Sequence, residues 1–469
     1  MAIHSTAFRP RAVAALQDVD LQRALHRARD GFVQKRAERV AELPEFESLR
    51  AAAQGLKEHV LDHLDHYLER YEQAVLAAGG QVHWARDDAE ARAIILGICR
   101  RVEARVVTKG KSMVSEEIGL NAALEAAGLE VVETDLGEYI IQLAGESPSH
   151  IIAPAVHKTR EQVSDLFERA HGGPRLTAIP DLVDAARGAL RSRYFSADVG
   201  ITGANVLVAE TGSSLIVTNE GNGDLTQTLA RVHIVTAGIE RVVPTLDDAT
   251  LILRLLARSA TGQETETYTT FSTGPRRAVD LDGPEEYHVV LVDNGRARML
   301  AGPYREMLRC IRCGACMNHC PVYGSIGGHA YGWVYPGPMG AVLTPLIKGL
   351  DLAYDLPNAC TLNGRCASVC PVGIPLPDLL RRLRQDQFER AITPSRQRQA
   401  LSLWRALATR PRLYHGLERL AARLLARLGG RAGAIRRLPG AHGWTAGRDL
   451  PAPRGRTFLE RWKQERGRS

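Results

Sequence analysis

The amino-acid sequence predicts an α/β protein with two helical additions, a cysteine-rich module and a basic C-terminal extension. Three observations lead to this fold class. Short apolar segments alternate with helical ones between residues 81 and 297, seven of the eight cysteines lie between Cys310 and Cys370, and arginines dominate the charge beyond residue 389. A length of 469 residues suits about three domains of about 150 residues each. We expect a helical segment at 1–80, an α/β domain at 81–297, a helical cysteine-rich domain at 298–388 and an arginine-rich extension at 389–469.

The elements follow from local patterns. In the first segment Leu56, Val60, Leu61 and Leu64 recur at helical spacing, and the Gly79-Gly80 pair is a stop signal. Within the α/β domain we expect a helix at 116–127 and strands at 105–108, 130–133, 151–153, 205–209, 214–218, 233–236, 242–243 and 288–292. A helical, arginine-rich segment is expected from 379 to about 428, and about the last thirty residues are expected to be weakly structured.

Composition excludes several protein classes. A chain that is 45% hydrophobic and 24% charged is neither collagen, a coiled-coil rod nor disordered in bulk. The first residues lack the apolar core of a signal peptide, and we find no run of eighteen apolar residues. We therefore expect a cytoplasmic protein, whose thiols stay reduced and can hold metal.

The extension more than accounts for the formal charge of +7, since arginines are frequent in it and Glu418 is the only acid between Glu389 and Asp449. Such a tail can meet nucleic acid, an anionic membrane surface or an acidic partner, and a solvated helical face is the alternative. Base-stacking aromatic residues are sparse there, which argues against nucleic acid. Of these interactions, we therefore expect peripheral contact of the tail with the inner face of the membrane.

The first cysteine motif has the spacing C-x2-C-x2-C-x3-C-P, from Cys310 through Cys313 and Cys316 to Cys320. This is a bacterial iron–sulfur pattern, in which the fourth cysteine binds the other cluster of a pair. Three thiolates two residues apart can wrap one face of a cubane, and Gly314 permits the backbone turn between them.

The second motif repeats this frame fifty residues later with Cys360, Cys366 and Cys370, but Asn363 stands where its second cysteine would be. Crossed ligation then predicts two clusters. The first would be a 4Fe-4S cluster on Cys310, Cys313, Cys316 and Cys370, and the second would use Cys320, Cys360 and Cys366.

Zinc also binds paired cysteines, but it does not explain two C-x3-C-P runs. The second cluster has three possible forms: 3Fe-4S, 4Fe-4S with water or Asn363 at the open iron, or 4Fe-4S completed by another residue. An open iron could bind substrate oxygen and act in catalysis. The interpretation we favour is that the second cluster only transfers electrons. Cys99, outside both motifs, is expected to be an ordinary buried thiol.

Several further runs resemble the lactate utilisation protein B family. They are residues 111–121 (KSMVSEEIGLN), 135–139 (DLGEY), 148–157 (PSHIIAPAVH), 200–205 (GITGAN), 210–212 (ETG), 219–222 (NEGN), 327–331 (GGHAY) and 335–338 (YPGP). The resemblance extends from the N-terminal helices to about residue 390.

That resemblance implies an N-terminal domain related to the sugar-isomerase and CoA-transferase folds, two cubane clusters, and electron transfer during oxidation of L-lactate to pyruvate. It implies two partners, a cysteine-rich subunit and a smaller protein that shares the α/β domain. Asn363 departs from the expectation of two complete cubanes.

Other candidate residues lie outside the cysteine motifs. Lys109 and Lys111 could hold an anion at a helix N-terminus, although a solvated turn is the alternative and the glycine of a phosphate-binding loop is missing. Glu210 and Glu220 follow expected strands, where α/β proteins often bind ligands, but hydrogen-bonded turns would explain them equally.

His329 and Tyr331 could donate hydrogen bonds near a cluster or form a packed lid over it.

These observations together predict an electron-transfer subunit with no catalytic residue of its own. The sequence lacks a G-x-G-x-x-G fingerprint, so bound NAD or FAD is not indicated. Two other hypotheses stay open. The α/β domain could bind the hydroxy acid directly and use the open iron, or the chain could be an iron–sulfur sensor whose basic tail binds nucleic acid.

Overall fold

The computed structural model describes residues 3–445 and 447–466. The chain forms two compact units, Met1–Asp386 and Gln387–Ser469. The first unit begins with four helices, as the apolar spacing predicted: Phe8–Gln17, Val19–Ala41, Phe46–Asp62 and Leu64–Ala77. Asp18 separates the first two, because its side chain caps the second helix by accepting a hydrogen bond from the Leu21 amide.

A six-stranded parallel sheet forms the centre of this unit. Its strands, in spatial order, are Gln81–Ala85, Glu286–Val292, Val232–Gly238, Val199–Gly203, Val106–Lys109 and Glu130–Glu133. Alternate residues of one strand enter different cores: Val290 and Val292 join one apolar cluster, whereas Val289 and Leu291 join another. Both faces are therefore covered, as the buried apolar strands of a parallel sheet require.

Helices connect and cover the strands. They are Asp88–Arg101, Met113–Glu117, Leu120–Ala126, Leu136–Ala144, Arg160–His171, Ile179–Ser196, Asn222–Leu229, Leu246–Ala260 and Arg296–Leu300. The strand order reverses at Val106–Lys109, which pairs with Glu130–Glu133 on one side and Val199–Gly203 on the other. The crevice beyond the carboxyl ends of strands at such a reversal is a preferred ligand site.

A second sheet of four strands packs within the same unit, in the order Val242–Val243, Val206–Val208, Ser213–Thr218 and Tyr268–Ser272. Two expectations for the α/β domain were wrong. Residues 151–153 form a loop, and the helix expected at 116–127 is two helices, because Gly119 adopts a left-handed conformation with φ of 65° between them.

The cysteine-rich segment consists of short helices separated by loops. They are Ala315–Asn318, Tyr323–Ile326, Gly337–Lys348, Arg365–Ser368 and Leu376–Glu389, with 3-10 turns at Arg305–Arg309, His329–Tyr331 and Leu356–Asn358. No helix among the described residues is both long enough and apolar enough to cross a membrane.

The second unit contains helices Ser395–Ala408, Pro411–Gly429, His442–Thr445 and Phe458–Arg466, and Ala434–Ile435 pairs with Leu450–Pro451. The helical segment expected from 379 to about 428 is present, and it is divided into three helices, of which Leu376–Glu389 is the first. Prolines lie at both breaks, since Pro394 precedes one helix and Pro411 begins the next. The end of the chain is also more regular than expected, since it holds a strand pair and a helix.

Candidate metal centre and adjoining cavity

The two cysteine motifs share one backbone conformation. Arg312 and Leu362, which precede the second position of each motif, have positive φ of 60° and 56°. Gly314 and Gly364 follow that position with φ of 74° and 81°, and a short helix begins directly after each glycine. Asn363 therefore occupies the same place in its loop as Cys313 does in the first loop.

Four cysteines come together from both motifs. Burial and the thiols of Cys310, Cys313 and Cys370 raise the pKa of Cys316 well above the ordinary value, and Cys366 acts on it less strongly than these three. Burial, Cys370 and Cys310 likewise raise the pKa of Cys313 to about 12. A thiolate is therefore disfavoured here unless a cationic centre binds it, which is what an iron–sulfur cluster provides.

The other three cysteines form a second group. Burial, Cys360 and Cys320 raise the pKa of Cys366 to about 12, and Cys360 also acts on Cys320. Each group thus combines residues from both motifs, and the donor set fits two iron–sulfur clusters.

Backbone amides also point at the sulfur atoms. The amide nitrogen of Leu362 lies 3.3 Å from Cys360 Sγ, that of Tyr323 lies 3.5 Å from Cys320 Sγ, and that of Ile374 lies 3.4 Å from Cys370 Sγ. Hydrogen bonds to ligand sulfurs are one of the means by which a protein adjusts a cluster potential.

Asn363 is exposed and engaged in its own loop. Its Oδ1 accepts a hydrogen bond of 3.1 Å from the amide of Arg365, two residues later. This is a turn-stabilising contact that asparagine commonly makes.

The two candidates for residues beside a cluster differ in their surroundings. Tyr331 is 1% exposed, and its hydroxyl lies beside the Cys320 thiol, on which it acts to lower the pKa. Burial and the thiols of Cys320 and Cys360 raise its pKa. His329 instead donates from Nε2 to the Ser147 carbonyl at 2.8 Å, and its ring centroid lies 4.5 Å from that of His157.

Lys109 is not in the solvated turn that the sequence suggested. Its side chain is fully buried, and Nζ lies 2.9 Å from Glu116 Oε1 and 2.8 Å from Glu133 Oε1. Its charge is thus balanced by two carboxylates inside the protein.

Lys111 differs from Lys109 because its side chain is only partly buried and bonds a backbone carbonyl. Its Nζ donates to the Ile152 carbonyl at 2.6 Å and lies 3.9 Å from Glu138 Oε1.

The two glutamates that the sequence singled out accept hydrogen bonds from backbone amides at the starts of helices. Glu210 accepts from Leu246 and Glu220 from Leu136, both at 3.2 Å.

A cavity of about 550 Å³ opens at the reversal point of the parallel sheet. Residues 110–114 and 202–205, which follow two adjacent strands, form part of its wall. Lys111 and Glu220 line it, whereas Lys109 and Glu210 do not. Sequence reasoning missed two lining residues, Arg241 and Arg312. Arg312 lies inside the first cysteine motif, so the cavity reaches the loop of the first cysteine group.

A buried ionic network joins this loop to the α/β domain. The guanidinium of Arg296 binds Glu117 with two hydrogen bonds of 2.9 and 2.8 Å, and its Nε lies 2.6 Å from Glu240 Oε2. Tyr335 donates to Glu117 at 2.6 Å, and its ring packs 4.7 Å from the Arg312 guanidinium. Burial opposes the charge of Glu117, but Arg296 and these hydrogen bonds lower its pKa overall.

Cys99 is 1% exposed, and burial raises its pKa to about 11. These are the properties of an unreactive structural thiol.

Comparison with known proteins agrees with this architecture. Residues 68–292 match the LUD domain, residues 306–374 the 4Fe-4S dicluster domain, and residues 389–467 the C-terminal domain of lactate utilisation protein B. A DUF162 family protein from Deinococcus radiodurans covers 49% of this chain and 98% of its own at 14% identity, with a TM-score of 0.29 that is too low for a detailed comparison of folds.

Full-length relatives are more informative. Lactate utilization protein B of Lysinibacillus sphaericus is 42% identical over 99% of this chain and 98% of its own length. That of Bacillus pumilus is 40% identical over 99% and 98%. An uncharacterized electron transport protein of Escherichia coli K12, YkgF, is 42% identical over 98% and 97%. The chain belongs to the lactate utilisation protein B family.

Proposed function

We propose that this chain is the iron–sulfur electron-transfer subunit of a complex that oxidises L-lactate to pyruvate. The observation that carries the proposal is the pair of cysteine groups within a 4Fe-4S dicluster domain, whose residues are buried or half-buried. Relatives of nearly equal length are called lactate utilization proteins, and one is called an electron transport protein. The two partner subunits would be a cysteine-rich protein and a smaller protein with the same α/β domain.

The proposed ligands of the first cluster, a 4Fe-4S cluster, are Cys310, Cys313, Cys316 and Cys370. Those of the second, either 4Fe-4S or 3Fe-4S, are Cys320, Cys360 and Cys366, with Asn363 at the missing position. When bound, such clusters supply one-electron redox chemistry.

The protein's own part is to bury the thiols, to exclude water and to donate amide hydrogen bonds to sulfur. Tyr331 would lie beside the second cluster. We further propose that the α/β domain is related to the sugar-isomerase and CoA-transferase folds, consistent with its parallel sheet.

Electron flow from lactate tests the proposal. The chain, purified without oxygen, is mixed with its two partner subunits, and cluster absorbance is followed after addition of L-lactate or D-lactate. We expect L-lactate to bleach the clusters and D-lactate to leave them oxidised. Stoichiometric zinc in place of iron and sulfide, or bleaching that needs no cluster on this chain, would contradict the proposal.

We also propose that the second unit rests on an anionic membrane surface at the cytoplasmic side. Helix Pro411–Gly429 exposes its most apolar stripe, while Ala422 on its other face is buried. The stripe has exposures between 46% and 55% and consists of Leu413, Leu417, Leu420, Leu424 and Leu428. Arginines flank the stripe, and Trp404 on the preceding helix is 61% exposed. Helices that lie in a membrane interface combine these features.

Sedimentation with lipid vesicles tests this surface. We expect the full chain to bind vesicles that contain phosphatidylglycerol in preference to neutral ones, and Leu417→Ser with Leu424→Ser to lose most of that binding. Leu352→Ser, which removes a leucine 48% exposed in the first unit, is the matched control. If the stripe instead binds a partner subunit and no vesicle, the membrane proposal is wrong.

A further inference from the structure

Arg241 is a buried cation without a direct counter-ion. It lies in the 3-10 turn Ile239–Arg241 that follows the central strand Val232–Gly238, and it is 7% exposed. Within the described part of the chain, its side chain forms neither a hydrogen bond nor an ion pair, and its Nε is buried without a partner. Burial and the nearby Arg312 guanidinium lower its pKa, and Glu240 and Cys310 oppose this shift without reversing it, so the protein holds this charge at a cost.

The carboxylate of Glu240, the residue before Arg241, already contacts two other guanidinium groups. Glu240 accepts from Arg296 at 2.6 Å and lies 3.5 Å from the Arg312 guanidinium. Three guanidinium groups, Arg241, Arg296 and Arg312, therefore share the carboxylates of Glu117 and Glu240. The Nζ of Lys57 adds a further amine, which donates to the Glu240 carbonyl. The neighbourhood thus has an excess of basic groups over carboxylates.

This excess faces the cavity. Arg241 and Arg312 both line it, and the Nε of Arg312 is also buried without a partner. Lys111, another cation of the wall, differs because Asp135 and Glu138 lie beside it. Three acids, Asp135, Glu220 and Glu266, line the cavity too, and apolar residues make up much of the remaining wall. An anion would therefore be drawn to the two arginines rather than to Lys111.

We propose that this cavity binds an organic carboxylate of the 2-hydroxy or 2-oxo acid class, with its carboxylate paired to Arg241 and Arg312. A guanidinium in a low-dielectric wall is suited to a carboxylate, and the apolar wall suits the aliphatic body of such an acid. The choice of acid class rests on the proposed function in lactate oxidation. The site would lie beside the loop of the first cysteine group, since Arg312 belongs to that loop and lines the cavity.

Calorimetry on the cluster-loaded chain, with sodium pyruvate and sodium L-lactate as probes, tests the site. We expect Arg241→Gln to weaken binding at least tenfold and Arg241→Lys, which keeps the charge, to recover part of it. Arg187→Gln removes an arginine 74% exposed in the α/β domain and should bind as the parent does. Iron content and the visible spectrum show whether each variant keeps its clusters and its fold.

Two results would overturn the inference. One is a parent chain that binds neither acid, even though lactate reduces its clusters in the assembled complex, which would leave the electron-transfer proposal standing. The other is Arg241→Gln with unchanged affinity but a lowered reduction potential of the first cluster, which would assign Arg241 to the cluster instead of to a ligand.

Discussion

Replacing Cys370 tests whether the ligands of the two clusters cross between the motifs. Cys370 belongs to the second motif, but its thiol interacts with Cys310, Cys313 and Cys316 of the first. Cys320 lies in the first motif and interacts with Cys360 of the second. We therefore expect Cys370→Ala to deplete the cluster held by the first motif.

The size of the effect follows from the ligand count. Two clusters on seven thiolates correspond to about seven or eight irons per chain, so loss of one leaves about three or four. Cys310→Ala with Cys370→Ala should lose no more iron than either single change, because both belong to one group. Cys320→Ala with Cys370→Ala should lose nearly all of it.

Iron and sulfide analysis with electron paramagnetic resonance after anaerobic purification measures these outcomes. Cys313→Ala is the matched control, since it removes a first-group thiol from the first motif itself. The reasoning fails if Cys370→Ala and Cys360→Ala together cost only one cluster, because the two residues would then serve the same one.

Three other changes give separate predictions. For a 3Fe-4S second cluster, Asn363→Cys should raise the iron of that site from about three to about four atoms per chain and remove the three-iron resonance signal; for a 4Fe-4S cluster the iron count should not change. Burial lowers the pKa of His233 to about 3, so the unfolded chain binds the extra proton and stability falls as the pH drops below about 6.5. His150 and His157, whose pKa values burial lowers to about 4, contribute in the same way. From about pH 7.5 to about pH 5.5, denaturant unfolding should therefore show a loss of stability that is about 1.4 kcal/mol smaller in His233→Gln than in the parent; equal losses would refute it. Arg296→Met should cost about 3–5 kcal/mol in the same assay, because it strands buried carboxylates, whereas exposed Arg298→Met should cost little.

The local sequence pattern predicted those features that depend on residues close together in the sequence. The strand Glu130–Glu133 was expected with its observed bounds, and the repeated cysteine spacing identified a two-cluster domain that the family comparison supports. The buried network could not be predicted in this way, since Glu117 and Arg296 are 179 residues apart and meet only after the sheet forms. Lys109 shows the same limit. Its burial depends on Glu133, which comes from a neighbouring strand.

The cavity shows why the site itself was only half predicted. The sequence pointed to polar residues after strands, and Lys111 and Glu220 do line the cavity. Arg241 belongs to no sequence motif. It stands out only in the folded structure, where it is buried without an ion-pair partner among the described residues.

Buried cations near the first cysteine group should also raise the reduction potential of the first cluster. Arg36, on helix Val19–Ala41, is 9% exposed, donates to the Val369 carbonyl at 3.1 Å and interacts with Cys313. A positive charge favours the reduced, more negative form of a cluster and so raises its potential. At an effective dielectric constant of about 20, one such charge contributes about 1–2 kcal/mol, or about 45–90 mV for one electron.

Arg36→Gln should therefore lower the potential of the first cluster by about this amount in a redox titration followed by paramagnetic resonance. Arg39→Gln is its control, because Arg39 lies on the same helix but is exposed and paired with Glu42. An equal shift in both variants, or a shift confined to the second cluster, would show that the buried charge does not act where the cysteine groups imply. A shift confined to the first cluster would mean that the helices before the α/β domain raise the potential of that cluster.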